Sequence, residues 1–204
     1  MKQDKTLENI AWKGDEPTEV VKKAVDEGII KPGDRVLDIG CGFGRNSNGI
    51  AKMGADVTAV NIDDDEIDYA KIRADEAGVC VDYIHANATE LPFPEKSFDV
   101  ALDLGCSHMI STKEGQKNAA REASRVLKPG GVLIYFGFSK EHPSYKNKPE
   151  SVMFRNIEDV KDMYGNDFEI VSKEEIRWKP SKEENANVEE HIGINVIMNR
   201  KSNY

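Results

Sequence analysis

Three glycines at alternate positions, in Gly40-Cys41-Gly42-Phe43-Gly44, follow the short apolar run Arg35-Val36-Leu37-Asp38-Ile39 and precede a helical stretch from about residue 46 to 52. Glycine tolerates positive φ and has no Cβ, so a backbone of this kind can pass close to a flat or extended ligand. The first N–H groups of the following helix point at the same place. Asp38, just before the loop, can take a charge-assisted hydrogen bond from an ammonium group, or it can cap the turn. Farther along, Asp103-Leu104-Gly105-Cys106-Ser107-His108-Met109 supplies an imidazole. With an unperturbed pKa of about 6.5, His108 could orient a substrate or take its proton. A structural or cofactor-facing histidine is the alternative.

These residues need a scaffold, and the chain supplies one by alternation. Residues 35–39, 56–60, 81–85, 98–103 and 132–136 read as short buried strands. Helical patterns intervene at 46–52, 64–77 and 114–127. Such alternation predicts a parallel sheet with helices on both faces. Asp15, Glu16 and Pro17 look like the start of a helix running to Gly28. Lys128-Pro129-Gly130-Gly131 reads as a sharp turn into strand five. After Gly137 the pattern changes: a polar loop at 138–150, a short helix at 156–164, and two strands, 168–178 and 192–198, joined by the charged connection 179–190. With no long helix between them, these two are expected to form an antiparallel pair at the sheet edge. In such a sheet ligands bind past the carboxyl ends of the strands where strand order reverses, which is where the glycine loop falls.

Composition narrows the function classes. The 204 residues suit one domain, and 39% hydrophobic with 32% charged residues is a globular balance. A net charge of −9 argues against a nucleic-acid or acidic-membrane partner. The three cysteines, Cys41, Cys80 and Cys106, form no CxxC pair, so no zinc knuckle, disulfide framework or metal is expected, and a reducing cytoplasm is the simplest compartment. Residues 1–10 lack an apolar signal core, and no apolar run approaches the roughly 20 residues of a membrane span. A nicotinamide dinucleotide would call for GxGxxG; here the third glycine comes one residue early and Arg45 stands in its place. A ligand without a pyrophosphate is favoured over an NAD-dependent oxidoreductase.

The run 36–45 resembles motif I of class I S-adenosylmethionine-dependent methyltransferases. The second strand with 61–63, the stretch Asn87-Ala88-Thr89-Glu90-Leu91-Pro92-Phe93, the strand start Ser97-Phe98-Asp99-Val100 and the helix-and-turn 121–131 resemble that family's later motifs in order. The Trp12 to Pro17 lead-in, Gly42-x-Gly44-Arg45-Asn46 and Asp103-x-Gly105-x-x-His108 are similar to the small tellurite-resistance and thiopurine-type members. The resemblance implies a Rossmann-like, doubly wound, seven-stranded, mostly parallel α/β sheet with an antiparallel last strand. It divides a single domain into an N-terminal lid or helix (1–32), a cofactor-binding core (33–138) and substrate-side strands and loop (139–204). It implies S-adenosyl-L-methionine as cofactor, S-adenosyl-L-homocysteine as product, and a site made of Asp38, Gly40, Cys41, Gly42, Gly44, Arg45, Asn61, Ile62, Asn87, Ala88, Asp103 and Leu104. Asn61 and Asn87 replace acids that the family uses for the ribose and the adenine, so either somewhat weaker cofactor binding or help from Asp63 or Asp64 is expected.

The function so implied is methyl transfer to a small-molecule acceptor by a monomer or homodimer, with a non-catalytic S-adenosylmethionine-binding regulator as the alternative. Methyl transfer needs a nucleophile aligned at about 3–3.5 Å from the methyl carbon and a base only where that nucleophile carries a proton. His108 is the candidate catalytic residue. The 138–150 loop, with Phe138, His142, Pro143 and Tyr145, either covers the substrate or is a plain connection. Trp12 packs on the sheet or joins a lid. Cys41 and Cys106 at one sheet edge leave a metalloid acceptor open.

Overall fold

A computed structural model describes residue 14, residues 16–180 and residues 189–202. The expectations for Trp12 and for the middle of the 179–190 connection fall outside these residues. Seven strands form one sheet in the order β3-β2-β1-β4-β5-β7-β6. They are β1 (Arg35–Ile39), β2 (Asp56–Asn61), β3 (Asp82–His85), β4 (Phe98–Leu104), β5 (Leu127–Phe138), β6 (Phe168–Trp178) and β7 (His191–Arg200). The first five run parallel to one another. β7 runs antiparallel to both β5 and β6, so the expected edge pair is present, with β6 outermost.

Helices cover both faces because alternate strand residues point opposite ways. Val36, Val57, Val100, Leu102 and Ile134 pack with Val21, Ala24 and Ile50 of α1 (Glu19–Asp26) and α2 (Arg45–Lys52). Ala59 and Tyr83 take up Ile67, Ala70 and Ala74 of α3 (Asp64–Ala77). Their neighbours Leu37, Ala101, Leu133 and Tyr135 face the other way, toward Ala120 and Ala123 of α4 (Lys113–Val126) and Val160 and Tyr164 of α5 (Ile157–Tyr164). Burial on both faces explains why the central strands read as unbroken apolar runs.

Two local expectations shift. α1 starts at Glu19 after Thr18, later than Asp15 to Pro17 suggested. Pro17 instead packs on α2, where a Cβ on Gly49 would lie 2.0 Å from the proline Cγ. The turn at 128–131 lies within β5 as a bulge: Leu127 already pairs with Phe98, and the next partners are Val100 and Val132. Gly130, at φ +77°, lets those residues swing out of the ladder.

The chain lays down β1, β2 and β3 on one side and then returns to β4 beside β1. The loops leaving β1 and β4 therefore diverge into helices on opposite faces and open a crevice between them.

Candidate active site

The glycine loop lies at that crevice. Gly40, Gly42 and Gly44 have φ of +76°, +53° and +76°. Gly40 and Gly44 are required by the protein's own packing. A Cβ on Gly40 would come 2.6 Å from Cys106 Cβ, and one on Gly44 would come 2.2 Å from the Tyr83 hydroxyl, which donates to Asn48 Oδ1 at 2.8 Å. Gly44 also caps α2, so the loop delivers the helix N-terminus directly to the crevice. Cys41 and Cys106 lie on facing loops, but burial pushes both thiols up, so neither offers a thiolate to a soft acceptor.

Asp38 is buried behind the loop, where its Oδ2 accepts the Ser47 hydroxyl at 2.6 Å. Burial pushes its carboxyl up to about 6 despite the hydrogen bonds from Ser47. Arg45, at the first position of α2, turns back to donate from Nε to the Glu16 carbonyl at 2.8 Å, and its guanidinium packs against Gly14.

At the end of β2, Asn61 donates its amide to Glu66 Oε2 at 2.7 Å. The acids expected to help are engaged elsewhere. Asp63 caps α3 by accepting the N–H groups of Asp65 and Glu66, and Asp64 pairs with His85 at 2.5 Å. Ile62 between them is 64% exposed, an open apolar face beside the crevice. Across from it, Asn87 Oδ1 accepts the Thr89 N–H at 3.0 Å, and Ala88 is half-buried.

Asp103 ends β4 with both oxygens occupied. Oδ1 accepts the N–H groups of Cys106 and Ser107, and Oδ2 accepts the Tyr164 hydroxyl at 2.5 Å. It thereby shapes the loop that carries His108. That imidazole is 6% exposed, its Nδ1 lacks a hydrogen-bond partner, and its ring packs 5.4 Å from that of Phe138. Burial pulls His108 down to about 4, with the Arg155 charge adding to the pull, so the ring is neutral near pH 7. Leu104, half-buried, leads into the loop.

Phe138 is the hub of an aromatic cluster past β5. It stacks on Trp178 at 6.0 Å and meets His142, Phe154 and His191. Within the expected 138–150 loop, residues 143–147 form a 3-10 turn capped by His142. His142 Nδ1 accepts the Ser144 N–H, so its Nε2 carries the proton and donates to His191 Nδ1 at 2.9 Å. Buried Arg155 donates to the Tyr135 hydroxyl at 3.0 Å, while its Nη2 has no partner. Glu66, Arg155, Trp178 and His191 were not singled out from the sequence. Trp178 ends one predicted edge strand and His191 immediately precedes the other, and nothing local in the sequence marks Arg155.

A left-handed glycine loop, a helix N-terminus and an open apolar face, gathered where strand order reverses, define an α/β protein built to hold a nucleoside-containing cofactor. Residues 37–135 match the family described as a methyltransferase domain. The ubiquinone biosynthesis O-methyltransferase of Hahella chejuensis is 33% identical over 122 residues, covering 59% of this chain and 50% of that protein. The ubiquinone/menaquinone biosynthesis C-methyltransferase of Vibrio parahaemolyticus is 31% identical over 161 residues, covering 75% of this chain and 61% of that one. A SAM-dependent methyltransferase structure from Methanosarcina mazei superposes with a TM-score of 0.77 at 21% identity, over 88% of this chain and 98% of that one. The match over residues 37–135 is thus to a methyltransferase domain, and the fold is shared with an S-adenosylmethionine-dependent methyltransferase. The chain spans 27% to 61% of the length of curated relatives such as these. Among the described residues, no helix is long and apolar enough to cross a membrane.

The site suits that cofactor. The left-handed backbone of the loop gives close approach without side chains, and Ile62, just past β2, leaves an apolar side chain exposed.

Proposed function

We propose that this protein transfers the methyl group of S-adenosylmethionine to a small-molecule acceptor, in the cytoplasm, as a monomer or homodimer and without a nucleic-acid or membrane partner. The observation that carries this reading is the left-handed Gly40–Gly44 backbone at the strand-order reversal between β1 and β4. Relatives named as ubiquinone-biosynthesis, sterol and fatty-acid methyltransferases support a small-molecule acceptor. The net charge of −9 supports the absence of nucleic acid.

The bound cofactor supplies an electrophilic methyl on a sulfonium that is already a good leaving group. The chain's own residues do the rest. Gly40, Cys41 and Gly42 present backbone to the amino-acid end, with Asp38 behind them for its ammonium, and Gly44 and Arg45 start the helix that faces it. Ile62 would cover a purine face, Asn87 and Ala88 would meet its edge, and Asp103, followed by Leu104, shapes the loop that carries His108. His108, neutral at working pH, is a poor base; its Nδ1 has no hydrogen-bond partner but is enclosed by the protein, so the ring serves the acceptor's side by packing against Phe138. The rings of Phe138, Phe154 and Trp178 exclude water from the acceptor's side.

Isothermal titration with S-adenosylmethionine and S-adenosylhomocysteine tests the reading. Micromolar binding of both is expected. No heat and no thermal shift with either would remove it.

A further inference from the structure

A ribose offers two adjacent hydroxyls, and a single carboxylate can accept from both with its two oxygens. Asn61 stands where the resemblance expects that carboxylate, and an amide has one acceptor oxygen. The hydrogen bond from Asn61 Nδ2 to Glu66 Oε2, 2.7 Å long, supplies what is missing. It commits the amide N–H to Glu66, so Asn61 Oδ1 is left as an acceptor beside the second carboxylate oxygen, Oε1. Neither oxygen has a hydrogen-bond partner among the described residues. Together they reproduce the pair of acceptors that one acid would present. Glu66 is half-buried in the first turn of α3 and is tied to the end of β2 through Asn61. Asp63 and Asp64 each have one oxygen engaged, in the first turn of α3 and with His85, and among the described residues neither is hydrogen-bonded to Asn61 as Glu66 is.

We propose that Glu66 and Asn61 bind the ribose cis-diol of the cofactor as a unit, Glu66 Oε1 accepting from one hydroxyl and Asn61 Oδ1 from the other. The negative charge that the family keeps at the strand end has moved to the first turn of α3. The inference rests on the S-adenosylmethionine reading, and its test separates the two.

Calorimetry with S-adenosylhomocysteine and its 2′-deoxy and 3′-deoxy analogues is run on the wild type, Glu66→Gln, Asn61→Asp and the double swap Asn61→Asp/Glu66→Gln. Glu66→Gln keeps the shape and loses a charge-assisted hydrogen bond, so the parent ligand weakens by roughly 10- to 100-fold. The loss shrinks to about threefold or less with whichever analogue lacks the hydroxyl that Glu66 holds. Asn61→Asp sets two carboxylates side by side and also weakens binding. The double swap moves the charge back to β2 and recovers affinity to within about threefold of wild type. A Glu66→Gln protein that binds like wild type overturns the proposal, as does one that loses all three ligands equally, and so does a double swap no better than Glu66→Gln alone. A wild type that binds none of the ligands removes the cofactor reading and this pairing with it.

Discussion

At the scale of single residues, the candidate site is governed by which polar groups are already satisfied. Asp38 titrates at about 6 because it is buried. A ligand ammonium favours its ionised form, so S-adenosylhomocysteine should bind more weakly as pH falls from 7 to 5, by up to about tenfold per unit below 6. Asp38→Asn should flatten that slope, as read by calorimetry; a wild type equally flat would mean that Asp38 does not meet the ammonium. His108 has the opposite kind of shift. Its folded-state pKa of about 4 lies below the unfolded value, so the folded state binds fewer protons between the two. The stability it contributes is present above about pH 6.5 and is lost as pH falls toward 4. Across that window, denaturant titration should cost the wild type about 3 kcal/mol more than it costs His108→Gln. The glycine loop, Asp38, Asn61 and His108 were legible as neighbours in the sequence because motif order fixes which strand ends they occupy. The commitments of Asp103 to its own loop, of Arg45 to the lead-in and of Glu66 to Asn61 were not. They depend on turn geometry that brings groups together across 3 to 29 residues, and no periodicity records that.

At the scale of elements, the fit of α2 and α3 on the sheet explains a glycine that a ligand alone would not require. Gly44→Ala would strain a left-handed backbone and also drive a Cβ into Tyr83 and Ala70. Gly78, at φ +67°, has nothing within 4 Å of its Cβ position. Gly78→Ala should therefore cost about 1–2 kcal/mol and Gly44→Ala about 1–3 kcal/mol more, compared by urea denaturation. Most strands and helices were readable because buried parallel strands are continuous apolar runs and surface helices keep a 3.6-residue period. Two features escaped for physical reasons. Pro17 has the chemistry of a helix start, but its contact with Gly49 holds it just outside α1. Lys128-Pro129-Gly130-Gly131 has the chemistry of a turn, and a bulge uses the same residues while Leu127 stays paired to β4.

At the scale of the whole molecule, one sheet runs from β3 to β6 with helices packed on both sides. We expect the single-domain reading to appear in calorimetry as one unfolding transition, with van't Hoff and calorimetric enthalpies in agreement. S-adenosylhomocysteine at about a hundred times its Kd should move that transition up as a unit, by roughly 5–10 °C, since about 2.7 kcal/mol of linkage acts on a chain of this size. Two resolved transitions, only one of them responsive, would mean separate units.

The contact between His142 and His191 has a consequence for acid conditions. The 3-10 segment after β5 is fastened to β7 by one proton shared between two imidazoles 2.9 Å apart. Burial and the neighbouring His191 both pull His142 down, which favours its neutral form. A further proton on His142 would turn that hydrogen bond into a contact between two donors, so acid weakens the tie between this segment and β7.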